Sequence, residues 1–332
     1  MTPAPRPALA LCLLLGALSS ATAQTSLSAL RDELGQSTRD SGYAAFLTGL
    51  TTLGSDAELT GGILTIEAST SIELTPNTML IPISIDVEDA AWIKLRFEGV
   101  GGYVTSHFDL RSTSTGASAF HVSARNSVLA FDLGVGPSFE LPFGISIQPL
   151  LHGNTAYLSD RARFGGPAGP AVRALTEDLL FDIDAYYAGF GASLAIRQDL
   201  QLGPFSLRPA VRYDWRRTFV VQIDHDANDS PATAHWFTTH LDLRGPIHTW
   251  TDAEEQDTTL GWLASLGYRL FFDDLREALV MRDYFVLTCG LWLRVPKDTS
   301  WTHGWFDTLR LSGSWFIGEK LRGWAFGAMT EF

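Results

Sequence analysis

Apolar and polar side chains alternate along most of the chain from Gly62 onward. In the segment 205–216 the odd positions are mostly large and apolar, and four even positions carry Arg208, Arg212, Asp214 and Arg216. Successive side chains of a β-strand point to opposite faces, so this pattern predicts a strand with one apolar and one charged face. Similar segments recur about twelve times at about ten residues each, the length with which a tilted strand crosses a bilayer.

This repeated alternation predicts an all-β fold, a transmembrane antiparallel up-and-down β-barrel of about twelve strands. An even strand count returns the C-terminus to the periplasmic side, and the two longest predicted links, 102–118 and 156–180, then fall outside. Thr75-Pro76-Asn77 is predicted to form the first turn, and the link 245–257 is too long for a good periplasmic turn. A soluble sandwich is the alternative, but its strands are usually only about five or six residues long.

The last predicted strand places Trp324, Phe326, Ala328, Thr330 and Phe332 on one face. Small or polar residues occupy most of the other face. This ending resembles the C-terminal signature of bacterial outer-membrane β-barrels, in which a final Phe follows apolar residues at alternating positions. The resemblance implies an assembly signal, comprising Trp324, Phe326 and Phe332, that the barrel-assembly machinery reads. An edge strand of a soluble β-protein is the alternative.

The N-terminal residues predict export. Arg6 precedes the apolar run 8–18, and the small residues 19–23 end in an A-x-A site, which predicts a signal peptide over residues 1–23. Cys12 would leave with it, so Cys289 remains as a single thiol and no intramolecular disulfide is expected. Residues 24–60 carry leucines at helical spacing and predict a helical lead, which lies either in the barrel lumen or in the periplasm. The barrel is predicted over residues 61–332.

Composition excludes some functions without deciding the fold. The chain has 24 Lys+Arg and 37 Asp+Glu, a formal net charge of −13, which argues against a nucleic-acid partner. Beyond the predicted signal peptide, no long uncharged apolar segment predicts a transmembrane helix. The hydrophobic fraction of 45% also suits a soluble protein, so the membrane assignment depends on the alternation.

The export signal, the helical lead, the strand count and the C-terminal Phe332 together resemble the β-barrel domain of autotransporters. Because only about 37 residues separate Gln24 from the first predicted strand (61 − 24 = 37), the likeness is to solitary, passenger-free outer-membrane barrels of that type. This resemblance implies location in the bacterial outer membrane and contact with its lipid. It rests on architecture and implies no catalytic residues and no cofactor.

Two short motifs offer weak candidates for chemistry. His121 and Ser123 are two residues apart and would share one face of a strand, as a Ser–His nucleophile pair requires. In this His–Ser spacing the sequence resembles outer-membrane phospholipases and lipid A deacylases. A polar pair near a loop is the alternative explanation of the same residues. Asp224, Asp226 and Asn228 begin like a calcium loop, but Asp229 and His235 stand where such a loop has Gly and Glu. A solvated acidic loop is the simpler interpretation.

Charged residues on the inward register are the predicted lumen lining. They are Lys94, Arg96, Arg208, Arg212, Arg216, Arg269, Arg294, Arg310, Glu67 and Asp214. They could line an open pore, or they could pair across a closed lumen. The sequence therefore predicts a non-enzymatic, autotransporter-like membrane protein. An open porin-like channel and a barrel hydrolase acting on lipid or protein are the alternatives.

Overall fold

A computed structural model describes residues 61–69, 72–90, 92–111, 116, 119–177, 181–223, 231–251, 257–272, 276, 281–295, 308–319 and 321–331. The predicted signal peptide and helical lead lie outside these residues. Within the described part of the chain, no helix has the length and apolar character needed to cross a membrane.

The described chain is nearly all strand. The strands are β1 Gly61–Ser69, β2 Ile72–Ala90, β3 Ile93–Arg111, β4 His121–Leu141, β5 Ile145–Gly165, β6 Asp184–Gln198, β7 Leu200–Leu202, β8 Phe205–Ile223, β9 Ala232–Thr251, β10 Asp257–Phe272, β11 Asp283–Arg294, β12 Thr308–Gly318 and β13 Leu321–Glu331. A 3₁₀ turn, Pro142–Gly144, joins β4 to β5. One short helix, α1 Gly169–Thr176, lies between β5 and β6.

The strands form one antiparallel sheet that closes on itself. Each strand pairs with its neighbour in sequence, except that β6 pairs with β8 past the three-residue β7. β1 pairs with β13, with Gly61 opposite Phe326 and Ile66 opposite Leu321. Closure removes the open edges that would leave backbone groups unpaired in lipid. The prediction of an antiparallel all-β barrel is confirmed by these pairings.

The predicted first turn is wrong. Thr75, Pro76 and Asn77 lie inside β2, and the chain reverses direction between Ser69 and Ile72, which pair with each other. Pro76 has no N–H to donate, but the pairing of β1 with β2 is interrupted between Ile63↔Asn77 and Ile66↔Leu74. The proline therefore occupies a gap in the ladder, where its missing donor costs little.

Several strands are longer than the alternation predicted. β4 and β5 have 21 residues each. Residues 245–251, predicted to belong to a long link, continue β9, so only residues 252–256 separate it from β10. The prediction of an overlong link was therefore wrong. A register shift between Leu260 and Gly261 marks the place where the alternation in this pair of strands changes.

The outer face of the barrel is apolar over a broad belt. We call the end at which β3 ends and β4 begins the upper end, and the end at which β13 ends the lower end. On β4 the belt runs from Leu129 through Phe131 and Leu133 to Val135, all of them exposed. Comparable rows on other strands include Leu95 and Phe97, Leu287 and Leu291, and Trp324 and Phe326. Soluble monomers rarely expose an apolar patch of this extent, whereas a surface in contact with lipid does.

The inner face is filled near the upper end by two apolar clusters, which we call together the apolar layer. One contains Val104, Val128, Leu158, Ile183, Ala185, Tyr187 and Ala232. The other contains Ala234, Trp236, Phe271, Met281, Tyr284, Phe316, Leu321 and Ala325. Their members come from nine strands around the ring, with Ile183 and Met281 just before β6 and β11, and all are almost fully buried. The upper lumen is therefore packed with the barrel's own side chains.

The wall of the barrel extends above the apolar belt at β3, β4 and β5, and β2 rises beside β3 as far as Leu74, which is opposite Phe108. The outward residues of the belt end at Tyr103 and Leu129, which are directly opposite each other, and at Tyr157 on β5. Above this level the outward residues are polar or charged, among them His107, Asp109, Arg125, Arg161 and Arg163. About eight residues of each strand lie in this part, which corresponds to roughly 20 Å for tilted strands.

Candidate functional site in the barrel lumen

Beneath the apolar layer lies a charged layer, formed by ionisable side chains on the inner face. β8 supplies Arg212, Asp214 and Arg216 at successive inward positions, a direct result of the alternation in its sequence. β3 supplies Glu98 and β4 supplies Asp132. Arg212 contacts Asp214 at 2.9 Å, and Arg216 contacts it at 3.3 Å.

Two ion pairs of the charged layer cross the lumen. Arg212 Nη1 lies 2.7 Å from Glu98 Oε2, and Arg216 Nε lies 3.1 Å from Asp132 Oδ2. In the ring, β4, β5 and β6 separate β3 from β8, so these side chains reach across a chord of the barrel rather than along its wall. The lumen is thereby bridged at this level.

The charged and apolar layers are in contact. The Arg216 guanidinium carbon lies 5.4 Å from the centre of the Trp236 ring, and that of Arg269 lies 5.9 Å from the centre of the Tyr284 ring. Cations over aromatic faces are attracted by the ring quadrupole, most strongly where water is excluded. Arg216, which bridges the lumen, is therefore also anchored to the apolar layer above it.

A histidine, a serine and an aspartate form a linear arrangement in the charged layer. His152 Nε2 lies 2.9 Å from Ser193 Oγ, and His152 Nδ1 lies 2.7 Å from Asp132 Oδ1. The three residues project inward from β5, β6 and β4, which are adjacent strands. Arg212 Nη2 donates to Ser193 Oγ at 3.2 Å.

The contacts of Asp132 determine which ring nitrogen of His152 carries the proton. Asp132 also accepts from Arg216 Nε, so it is a carboxylate and has only acceptors to offer. His152 Nδ1 must therefore donate to it. In the neutral ring, the lone pair is then on Nε2, which faces the Ser193 hydroxyl.

Glycines on the facing strands make room for these side chains. A Cβ at Gly134 would lie 2.5 Å from His152 Cε1, which is closer than real Cβ contacts come. Gly134 is directly opposite His152 on β4, and Gly191 is opposite both His152 and Arg216. The absence of a side chain at Gly134 leaves room for the imidazole, and its absence at Gly191 leaves room for the Arg216 side chain.

We expect Gly134→Ala to displace the His152 ring and to lower the unfolding free energy by about 1–3 kcal/mol, the usual cost of overpacking. Denaturant unfolding in lipid vesicles measures the loss. Gly153→Ala is the matched control, since a Cβ there meets nothing within 4 Å. Equal stability of the two variants would contradict the role given to Gly134.

The predicted lumen-lining residues occupy several environments. Arg212, Asp214 and Arg216 belong to the charged layer, and Arg269 and Arg310 are buried on the inner face. Arg96 pairs with Glu98 at 2.8 Å, Arg208 pairs with Asp199, and Lys94 is half-buried near the lower end. Arg294 is exposed at the lower end of β11. Glu67 lies on β1, where only the backbone is described.

The predicted pair His121 and Ser123 lies on the outer face of β4, above the apolar belt. There Ser123 Oγ is 3.4 Å from His107 Nε2, and the same nitrogen is 3.2 Å from Asp109 Oδ2. His121 lies 3.6 Å from Asp109 instead. A nitrogen that donates to a carboxylate cannot also accept the proton of a serine. This cluster is therefore a hydrogen-bond network around Asp109, and its geometry does not support the predicted nucleophile.

A second cluster in the lumen has the same defect. Ser265 Oγ lies 2.8 Å from His240 Nε2, and Asp242 contacts that same nitrogen at 2.5 Å. The calcium-loop candidates Asp224, Asp226 and Asn228 lie outside the described residues. Among the residues that are described, no group of three or more His, Cys, Asp or Glu is placed to hold a metal ion.

The predicted assembly strand is β13. Trp324 and Phe326 point outward, and their rings are in edge contact at 5.1 Å between centres. The third member of the predicted signal, Phe332, lies outside the described residues. The strand pairs with both β12 and β1, so it is the one that closes the barrel.

Sequence reasoning missed Asp132, His152 and Ser193. Each stands on the inward parity of a predicted strand, so alternation placed it on the correct face. Their proximity depends on the register of three strands, with Gly134 opposite His152 and His152 opposite Gly191. The local signal available was the pairing of a histidine with facing glycines, which becomes visible only when that register is known.

Solved structures with a similar fold are outer-membrane barrels. The β domain of the Bordetella autotransporter BrkA is 15% identical, with a TM-score of 0.46 over 81% of this chain and 94% of that one. The transport unit of AIDA-I from Escherichia coli is 14% identical, with a TM-score of 0.48 over 88% and 99% of the two chains. The translocator domain of NalP from Neisseria meningitidis is 12% identical, with a TM-score of 0.47 over 89% and 99%.

The chain is similar to autotransporter translocator barrels. The likeness is one of fold, and the barrel architecture itself is established by the strand pairings of this chain. No family model matches the sequence, and no curated protein matches it.

Proposed function

We propose that this protein is an autotransporter-like β-barrel of the bacterial outer membrane whose lumen is closed by its own side chains. The ion pair between Arg212 and Glu98 carries the proposal, because it joins two strands across the lumen. The packed apolar layer above it supports the same conclusion. An apolar constriction in a pore resists entry of water and ions.

The outer face supports location in lipid. Leu133 and Leu151 are 69% and 70% exposed, and they belong to a belt that runs over the described outer faces from β3 to β13. Their burial in lipid removes the cost of exposing them to water. Export through a cleaved signal peptide and recognition of β13 by the barrel-assembly machinery are parts of this proposal, and so is lipid as the protein's immediate partner.

Bilayer conductance of the purified full-length protein tests the closed lumen. We expect no stepwise conductance at moderate voltage, because both layers must rearrange before ions pass. The double variant Arg212→Ala/Trp236→Ala, which removes a bridge and part of the apolar layer, should conduct in discrete steps. Large, regular steps from the unmodified protein would contradict the proposal and favour a porin-like channel instead.

The alternative of a surface hydrolase built on His121 and Ser123 has no geometric support in the Asp109 network. The non-enzymatic character predicted from the sequence is untested. The linear arrangement of Asp132, His152 and Ser193 provides a direct way of testing it.

A further inference from the structure

We propose that the barrel lumen holds an ester-hydrolysing site in which Ser193 is the nucleophile and His152 is its general base. Asp132 is the positioning residue that orients the imidazole, and Arg212 stabilises the oxyanion. The observation that carries this inference is the use of opposite ring nitrogens of His152, with Ser193 on Nε2 and Asp132 on Nδ1.

The distances suit proton transfer. Ser193 Oγ and His152 Nε2 are 2.9 Å apart, within the range required between a nucleophile and its base. Because Nδ1 donates to Asp132 at 2.7 Å, Nε2 of the neutral ring is free of hydrogen and accepts the serine proton. The carboxylate also stabilises the imidazolium that forms when the serine attacks.

Arg212 is placed where negative charge would develop. Its Nη2 lies 3.2 Å from Ser193 Oγ, so a carbonyl carbon bonded to that oxygen would bring its own oxygen near the guanidinium. Glu98 at 2.7 Å and Asp214 at 2.9 Å hold the group in place. An arginine keeps its charge at all relevant pH values and is therefore a permanent oxyanion partner.

The other two Ser–His–Asp clusters provide an internal comparison. In the clusters of Ser123 and Ser265, the aspartate and the serine approach the same nitrogen of the histidine. In both clusters, the aspartate carboxylate contacts the histidine nitrogen that would have to accept the serine proton. Of the three clusters, the one at Ser193 therefore has the arrangement that nucleophilic catalysis requires.

Water reaches the edge of this site. The side chains of Asp132 and Arg212 are 24% and 29% exposed, although His152 is nearly enclosed. The apolar layer closes the lumen above, so a substrate would enter from the lower end. Ser193 and His152 are only 5% and 7% exposed, so a narrow acyl group could reach the hydroxyl and a folded protein could not.

The reaction balances with water as the co-reactant. Ser193 Oγ attacks the ester carbonyl carbon as its proton passes to His152 Nε2, and the electron pair of the C=O bond moves onto the oxygen near Arg212. The C–O bond to the alcohol then breaks, and His152 gives the proton to the departing alkoxide. Water attacks the acyl-serine through the same two steps, which releases the acid and restores Ser193.

The site suits esters better than amides. A single cationic group faces the reacting oxygen, in place of the paired backbone N–H donors that stabilise amide hydrolysis in many serine enzymes. An alkoxide also leaves more readily than an amine. The substrate class is therefore a carboxylic ester with a narrow acyl chain.

Covalent labelling with diisopropyl fluorophosphate tests the site in the folded full-length protein. The reagent is small, and it forms an O–P bond to an activated serine while fluoride leaves and the proton passes to the base. We expect one adduct, located by peptide mass spectrometry at Ser193, and none after unfolding in urea. Ser193→Ala should abolish labelling, and His152→Gln should slow it at least tenfold.

Ser265→Ala and Ser123→Ala are the matched controls, since each removes a serine beside a histidine outside the proposed site. Both should be labelled at Ser193 at the unmodified rate. Heat-dependent mobility on gels establishes that every variant is folded. A folded, unlabelled protein, or an adduct on another serine, would overturn the proposal, as would an unchanged rate in His152→Gln.

Hydrolysis of p-nitrophenyl acetate gives the second readout. Turnover that disappears in Ser193→Ala and persists in Ser265→Ala is expected, and turnover that survives in Ser193→Ala contradicts the assignment. Conductance keeps the two proposals separate. A silent barrel without labelling would overturn this site and leave the closed lumen intact, and a conducting barrel labelled at Ser193 would do the reverse.

Discussion

Replacing Arg216 with Met should lower the free energy of unfolding by about 3 kcal/mol. The side chains of Arg216 and Asp214 are 4% and 2% exposed, so water cannot compensate when the charge is lost. Asp132 and Asp214 would each lose one cationic partner, and two backbone carbonyl oxygens, those of Ala192 and Trp215, would lose a donor. Removing one member of a buried ion pair typically costs about 3–5 kcal/mol, and methionine retains most of the packing volume. Asp214 would keep Arg212 as a partner, and Asp132 would keep His152. We therefore expect a loss at the lower end of that range.

Reversible unfolding in urea from lipid vesicles would measure this loss. Arg173→Met is the matched control, because Arg173 of α1 forms an exposed pair with Glu177, the residue that follows the helix. Pairs of that kind contribute less than about 1 kcal/mol. If the two variants were equally stable, the charged layer would not be a buried network.

Leu133→Arg should lower stability by about 2–4 kcal/mol when the protein is folded in a bilayer. Leu133 is near the middle of the outward apolar run of β4 and is 69% exposed in the barrel, so lipid is its expected environment. An arginine on the lipid face near the midplane costs about that much. The expected effect depends on the bilayer and should shrink in a short-chain detergent, where water reaches the side chain.

Thr105→Arg is the control for Leu133→Arg, because it introduces the same charge on the outer face but outside the belt. Thr105 is outward on β3 and lies one step above the belt, opposite Ser127. Arginine near the membrane surface costs only about 0–1 kcal/mol. Leu133→Ala removes the leucine without adding a charge, so it measures how much stability is lost with the side-chain packing alone. Equal effects of arginine at both positions would place the belt outside lipid.

Alternation predicted the faces of this barrel well, because a period of two is a property of the strand itself. It placed Leu133 outward and Arg212, Asp214 and Arg216 inward before any pairing was known. It failed at Pro76, because proline signals a turn locally and the gap in the β1–β2 ladder that accommodates it is a tertiary feature. It also ended β9 too early, since residues 245–251 lack a clear alternation after the register shift.

The lumen site was beyond the reach of sequence reasoning for a different reason. His121 and Ser123 are close in the chain, so a local pattern suggested chemistry that the hydrogen-bond geometry around Asp109 does not support. Asp132, His152 and Ser193 are 20 and 41 residues apart, and only the register of β4, β5 and β6 brings them together. The bridge from Arg212 to Glu98 further requires closure of the sheet, which no single strand specifies.

The unequal height of the wall gives the upper surface a crescent-shaped relief instead of a level ring. β3, β4 and β5 rise about 20 Å above the belt, and β12 and β13, with 11 residues each, scarcely exceed it. Arg125, Arg161 and Arg163 lie on the outer face of these raised strands, so the tallest described part of the wall presents several arginines to its surroundings.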